Sequence, residues 1–385
     1  MNKQEFDYVI VGAGIAGCSL AHFLSKYSKS VLLIDKNEDV AFGASGAAGA
    51  FLSPLLGKPN KFKDLITKAL CFSMNYYKKY FFEDLINCGT CRIPKNQEDE
   101  EKFQSYIPYM DFEYKKFEEG YLFEIGSVVK PYEICKKLSD NIQKLFNYEI
   151  QKIEKYENNW ILNNEIKAKN LFLTTGADIS LIEEKYLDIR SVWGQKIDVF
   201  TTSKVEVNYH KECSLSISNK EGIVSIGATH HRFDDKKQES SYDLKLKNIN
   251  KLKHNDCTNN IMQEDVRELL AKANDIKTLN DVKVLDIKIG ARASSVDYFP
   301  MLGKLVDSQK SFEKYPHLKN GFQIKNENLE LIDNLYILNG VGGRGFVLSL
   351  YLANKLVENI FNNEELEEEI TNFRLFKRWA KKQNK

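Results

Sequence analysis

The stretch from Phe6 to Lys36, FDYVIVGAGIAGCSLAHFLSKYSKSVLLIDK, decides the fold. Tyr8-Val9-Ile10-Val11 is a short β-branched run, Gly12-Ala13-Gly14-Ile15-Ala16-Gly17 is a GxGxxG turn, and Cys18 to Leu24 continues at helical period. Ser30 to Ile34 supplies a second strand, which ends on Asp35, 18 residues past Gly17 (35 − 17). Strand, glycine turn, helix and strand form one βαβ unit. The helix N-terminus can hold a pyrophosphate on its unpaired N–H groups, and a carboxylate at the second strand end can accept hydrogen bonds from both hydroxyls of an adenosine ribose. The stretch predicts a dinucleotide site on Gly12, Gly14, Ile15, Ala16, Asp35 and Lys36. By itself it leaves NAD and FAD open.

The 385-residue chain is long enough for two domains. It has 55 Lys plus Arg against 54 Asp plus Glu, so no global charge draws it to nucleic acid or to an anionic membrane, and contact with RNA must come from local patches. The apolar stretch from Tyr8 to Leu24 is explained by the glycine turn rather than by an export signal or a membrane anchor, so the expected compartment is the cytoplasm, with no membrane partner. Seven scattered cysteines argue for reduced thiols. The one CxxC, Cys88 to Cys91, has no second pair at zinc spacing, since Cys71, Cys135, Cys213 and Cys257 stand alone, and no metal is expected.

Beyond the second strand, Gly43-Ala44-Ser45-Gly46-Ala47-Ala48-Gly49-Ala50 is a second small-residue segment, suited to close approach of a ligand or another backbone. A basic interval with Lys58, Lys61, Lys63 and Lys68 leads into a helix over 62–82. Residues 84–126 read as short strands and a charged stretch, 131–146 as an amphipathic helix, and 148–150, 160–162 and 171–176 as strands of the first domain. Residues 190–227 are strand-rich, 255–273 helical and 282–289 strand-like, and a long helix starts near Gly345. The expected fold is α/β, with an α+β substrate domain: a Rossmann-type domain over 1–83, 128–190 and 285–385, and an interleaved, mainly antiparallel β-sheet substrate domain over 84–127 and 191–284.

Four segments together resemble the D-amino-acid-oxidase-like family of FAD enzymes: GAGIAG with Asp35, GASGAAG, the LTTGAD strand end, and GVGGRGF before the last helix. The wording is most like the FAD-dependent half of a two-part bacterial tRNA-modifying protein. That likeness rests on GASG followed by Pro54, on Ser225 to Thr229 with Arg232, and on Arg292, Asp297, Pro300, Met301 and Gly303. Ala47 and Val296 depart from the usual wording, which has a polar residue and a basic one there.

The resemblance implies non-covalent FAD. Gly12, Gly14, Ala16 and Asp35 would hold its ADP half, and Ile150 would offer backbone contacts to adenine. Ala44, Ser45, Ala47, Ala48 and Gly49 would lie along the ribityl chain and isoalloxazine face, and Thr175 and Gly176 would close the nucleotide side. Gly342, Gly343, Arg344, Gly345 and Phe346 would bring a helix N-terminus to the flavin's N1–C2=O edge, where its positive end stabilises charge arriving on reduction. Arg292 would bind a substrate carboxylate, for which a guanidinium fork is suited, with Arg344 as a second catalytic cation.

The implied reaction is oxidative removal of the carboxymethyl group of 5-carboxymethylaminomethyl(-2-thio)uridine at a tRNA wobble position, with tRNA and a separate methyltransferase as candidate partners. FAD-dependent oxidation of free glycine, sarcosine or D-amino acids is the alternative; an NAD dehydrogenase and a non-catalytic RNA-binding module are more distant ones. His230 and His231 are read as polar or structural. The basic C-terminal run, Arg374, Lys377, Arg378, Lys381, Lys382 and Lys385 among Phe373, Phe376 and Trp379, is either an RNA grip or an amphipathic terminal helix.

Overall fold

The computed structural model describes residues 4–233, 238–240 and 260–384. It divides into two compact units, one of residues 1–45, 132–190 and 292–385, the other of residues 46–131 and 191–291.

The first unit is built on an eight-stranded sheet. Its parallel core runs Gln143–Leu145, Val31–Ile34, Gln4–Val11, Ile166–Leu173 and Leu331–Asn339. Val31 to Ile34 are all buried, as continuous apolar runs are in a parallel sheet covered on both faces. The register sets Val11 opposite both Ile34 and Leu173, so the three strands end level with one another at the glycine turn. Met301–Val306 adds antiparallel to Leu331–Asn339.

The second unit carries a second eight-stranded sheet, in which Ile189–Phe200, Ile223–Gly227, Ser214–Leu215 and Asn208–His210 are successive antiparallel neighbours. Ile197, Val199, Val224 and Ile226 fill its core with Leu269 and Ala273 of the helix Asn260–Ile276. The helix expected over 255–273 is thus seen from Asn260; residues 255–259, with Cys257, lie outside the described residues.

Three local expectations are corrected, and a fourth segment is given its structure. Residues 46–83 group with the second unit rather than the first, because the strand Phe51–Leu52 pairs with Ser127–Val129 and not with the parallel sheet. The helix expected over 131–146 stops at Leu138, and Gln143–Leu145 instead joins the parallel sheet beside Leu32 to Ile34. Residues 148–150 form no ladder strand, although the Tyr148 N–H donates to the Asp35 carbonyl at 3.1 Å. The charged stretch from Gln97 is a helix to Tyr106, capped by Asn96, whose side chain accepts from the Asp99 N–H.

The C-terminal run forms the helix Phe373–Ala380, which buries Leu375, Phe376 and Ala380. Arg374 is not available to a ligand. Its Nε and Nη2 each donate to Asp297 at 2.8 Å, Nη1 and Nη2 reach the Pro300 and Phe299 carbonyls, and Nη1 also reaches the Thr371 carbonyl. Burial raises the Asp297 carboxyl, but the Arg374 hydrogen bonds and charge, with the Ser295 hydroxyl and the Phe299 N–H, outweigh it and hold the carboxyl below its ordinary value. A carboxyl held lower in the folded than in the unfolded chain contributes stability above its unfolded pKa of about 3.9, and that stability is lost as pH falls through the folded value. Arg374→Ala is expected to cost about 3 kcal/mol in urea unfolding at neutral pH. Its stability should also fall less steeply than the wild type's below about pH 4; an unchanged acid limb would show that the pair contributes little.

Candidate active site

Three strand ends and two helix starts of the first unit meet around the GxGxxG turn. Gly12 has φ +109° and donates to the Ile34 carbonyl at 2.8 Å. The helix Ile15–Leu24 begins at Gly14, with no side-chain cap on its N-terminus. Of its first N–H groups, that of Ile15 donates to the Ser45 hydroxyl at 2.9 Å. The chain just before the small-residue segment is also tied to the turn, by the Ala41 N–H, which donates to the Ala13 carbonyl at 2.9 Å.

Asp35 braces the turn from the second strand end. Its Oδ2 accepts from the Ala13 N–H at 2.6 Å, and its Oδ1 accepts from the Asn37 N–H at 2.9 Å and the Asn37 amide at 2.8 Å. Lys36 is engaged elsewhere, 3.4 Å from Asp178 and 3.6 Å from Glu149 at the surface. Ile150 is buried, two residues after the Tyr148 N–H that meets Asp35.

Thr174 and Asn339 complete the constellation, and sequence reasoning did not single them out as site residues. The buried Thr174 hydroxyl donates toward the Val11 carbonyl at 3.0 Å and the Gly12 carbonyl at 2.7 Å, stitching the third strand end to the turn. The Asn339 amide donates to the Gly176 carbonyl at 2.8 Å while its oxygen accepts from the Gly340 N–H. A polar residue closing an apolar strand is the signal that points to both. Gly176 has φ +66°, and a β-carbon there would meet nothing within 4 Å, so Gly176 borders open space, while the Thr175 hydroxyl donates to the Asp178 carbonyl.

The long helix Gly345–Asn362 starts beside the first. A β-carbon at Gly345 would lie 3.1 Å from Ile15 Cγ2, so the two uncapped helix N-termini are neighbours. Gly342 to Arg344 form a 3₁₀ turn leading into it, and Phe346 is buried. The strand Lys283–Ser295 ends against this turn: Ser294 bridges to Val341, and a β-carbon at Gly343 would lie 3.7 Å from Arg292 Cδ. Arg292 and Arg344 therefore flank one glycine pair at a positive helix end. Burial lowers the Arg292 guanidinium and brings Arg344 to about 10, so both stay charged at neutral pH.

These residues fit a dinucleotide: N–H groups and helix ends for a pyrophosphate, a carboxylate for a ribose diol, and glycines where a ligand needs the backbone close. Asp35→Ala is expected to weaken dinucleotide retention by about 10- to 100-fold, since it removes the diol acceptor and the brace on the Ala13 N–H. Cofactor titration into the apo-protein measures this, and wild-type affinity would remove Asp35 from the site.

Of the remaining expected residues, Ala44 and Ser45 belong to the first unit and Ala47, Ala48 and Gly49 to the second, all half-buried. His231, in the second unit, has its Nε2 2.9 Å from Asp265, whose carboxyl is raised by burial. That pairing gives His231 a structural partner. Cys88 and Cys91 are free thiols, both raised by burial. Among the described residues no helix is long and apolar enough to cross a membrane.

Comparison with known proteins separates the two dinucleotides that the first stretch left open. The bifunctional tRNA 5-methylaminomethyl-2-thiouridine biosynthesis protein MnmC of Campylobacter fetus is 25% identical over 94% of this chain and 57% of its own length. MnmC of Leptospira interrogans is 26% identical over 92% and 57%. The chain thus spans a little over half the length of these relatives. Among solved structures, glycine oxidase from Bacillus cereus superposes with a TM-score of 0.71 at 16% identity, covering 94% of this chain and 96% of that one. L-proline dehydrogenase from P. horikoshii does so at 0.67 and 15% identity, over 98% and 99%. The model of the FAD dependent oxidoreductase family, DAO, matches residues 7–359, from the first strand into the helix Gly345–Asn362. With the match spanning both helix starts and the arginine pair, this chain belongs to the FAD dependent oxidoreductase family, and its cofactor is FAD.

Proposed function

We propose that this protein oxidises the carboxymethylaminomethyl group of a wobble uridine in tRNA, releasing glyoxylate and leaving 5-aminomethyluridine. The observation that carries this reading is Arg292 against Gly343, a cation held at the start of the helix Gly345–Asn362 where an N-substituted glycine can present its carboxylate. The likeness to MnmC supports the choice of a tRNA-borne amine. In this reading residues of the first unit hold FAD, and the second unit is the substrate domain.

FAD, bound without a covalent link, supplies the two-electron oxidation. Arg292 receives the carboxylate through its fork and fixes the glycine methylene in one orientation, so that positioning replaces a protein base. The secondary amine must be neutral, because its lone pair becomes the C=N bond as the methylene loses a hydride. Water then adds to that bond and the C–N bond breaks, giving the primary amine and glyoxylate. Arg344 and the helix end stabilise negative charge developing nearby. Oxygen or another acceptor takes up the electrons afterwards.

Incubation of the FAD-loaded protein with tRNA carrying the group should release glyoxylate, with a matching mass loss on the nucleoside. Fully loaded protein that yields none would end this reading. The second reading, oxidation of free glycine, sarcosine or D-amino acids, is favoured by the fold shared with glycine oxidase. Efficient turnover of those amino acids with modified tRNA untouched would establish it instead.

A further inference from the structure

The basic C-terminal run divides into residues used internally and residues that face outward. Arg374 grips Asp297 and Lys377 pairs with Glu368 at 3.0 Å. Arg378, Lys381 and Lys382 follow at i, i+3 and i+4 spacing, on one exposed face. The segment Pro316–Asn320 packs against that end of the helix: a β-carbon at Gly321 would lie 3.7 Å from Lys381 Cβ, and the Asn384 amide donates to the Asn320 side chain. Lys319 comes from this segment with its Nζ 4.9 Å over the Phe312 ring, and next to Gly321 stands Phe322, 65% exposed.

Nearby lysines are neutralised, Lys314 by Glu330 and Lys325 by Glu327. Among the described residues, no carboxylate lies within ion-pair distance of Lys319, Arg378, Lys381 or Lys382. In a chain of net charge +1 this is a local concentration of uncompensated cations around an exposed ring. Cations that track a backbone beside an aromatic platform suit single-stranded or looped nucleic acid. A lipid surface fits less well, because the apolar face of the terminal helix is already buried through Leu375, Phe376 and Ala380 and has nothing left to insert.

We propose that the face formed by Lys319, Arg378, Lys381, Lys382 and Phe322 docks the phosphate backbone of an RNA, with Phe322 stacking on an unpaired base. This rests on the tRNA reading and locates where that substrate is held. The terminal helix, about 12 Å long, joins this face to the Arg374–Asp297 clamp, and Asp297 is five residues (297 − 292) beyond Arg292.

The test compares FAD-loaded wild-type protein with the variant K319Q/R378Q/K381Q/K382Q. Two probes are used, tRNA carrying the carboxymethylaminomethyl group and the corresponding free nucleoside. The variant should bind tRNA at least about 100-fold more weakly near 0.1 M salt, with a log Kd against log salt slope smaller by about three. Flavin reduction by the free nucleoside should be unchanged. Restoring charge in K319R/K381R/K382R should retain wild-type tRNA affinity, and Phe322→Ala should weaken binding about 10-fold without altering the salt slope.

Wild-type tRNA affinity and slope in the four-site variant would overturn this surface while leaving the proposed reaction standing. Wild-type protein that neither binds nor oxidises the tRNA, yet oxidises free amino acids, would remove the reaction and this surface together. Co-sedimentation of the wild type with phosphatidylserine vesicles, lost in the variant while tRNA affinity stays, would assign the face to lipid and overturn the RNA proposal. Flavin absorbance and thermal unfolding report whether the variant is folded, and Phe322→Ala keeps the proposal testable if it is not.

Discussion

Arg292→Ala should reduce flavin by a carboxylate-bearing amine about 10³-fold more slowly than the wild type, with FAD still bound. A bidentate guanidinium–carboxylate pair in a partly dehydrated site contributes two charge-assisted hydrogen bonds, each of about 1.5–3 kcal/mol, and removal of the fork forfeits both. Arg292→Lys should recover only part of the loss, since an ammonium keeps the charge and loses the planar fork. An analogue in which a neutral group replaces the carboxylate should react at similar rates with all three proteins. Stopped-flow flavin absorbance gives the rates, and wild-type speed in Arg292→Ala would remove this residue from substrate binding. Because burial lowers the Arg292 pKa from a very high starting value, its charge persists through neutral pH. The rise in rate on the acid side should then follow the substrate amine.

The parts of this site that the sequence makes legible are those with fixed local geometry. Gly12, Gly14 and Asp35 are recognisable because a phosphate turn needs particular residue types at particular spacings, and the parallel strands follow from continuous apolar runs such as Val31 to Ile34. Contacts between residues distant in sequence leave no periodicity. Nothing local says that Thr174 closes on Gly12, 162 positions away, or that Asn339 ties down Gly176. The C-terminal run shows the same limit. Arg374 and Arg378 stand four residues apart with the same chemistry, and only the fold reveals that one grips Asp297 while the other faces outward. The helix Gln97–Tyr106 is obscured for another reason: its single buried residue is Phe103, so it carries little apolar period to read.

Gly17→Ala is expected to yield protein that no longer retains FAD. The third glycine of the turn is missing from the residues assigned to the cofactor, yet it leaves less room than either Gly12 or Gly14. A β-carbon there would lie 1.8 Å from the Gly12 carbonyl oxygen and 2.7 Å from the Thr174 hydroxyl. The first neighbour is backbone and cannot rotate away. The helix must therefore move off the strand by more than 1 Å to restore ordinary contact at about 3.4 Å or more. That movement pulls the Ile15 N–H from Ser45, separates Ala13 from Asp35 and opens the Thr174 stitch, so the phosphate and ribose contacts proposed for the turn would be lost together. Overpacking of this kind costs about 1–3 kcal/mol where side chains can yield, and more where backbone must. Gly43→Ala is the matched control, in the small-residue segment where a β-carbon meets nothing within 4 Å, and it should keep both stability and flavin. Flavin content after purification, together with urea unfolding, decides the matter. A flavin-loaded, stable Gly17→Ala protein would mean that the helix start can shift without losing its hold, and that the close packing of helix on strand is not what shapes the cofactor site.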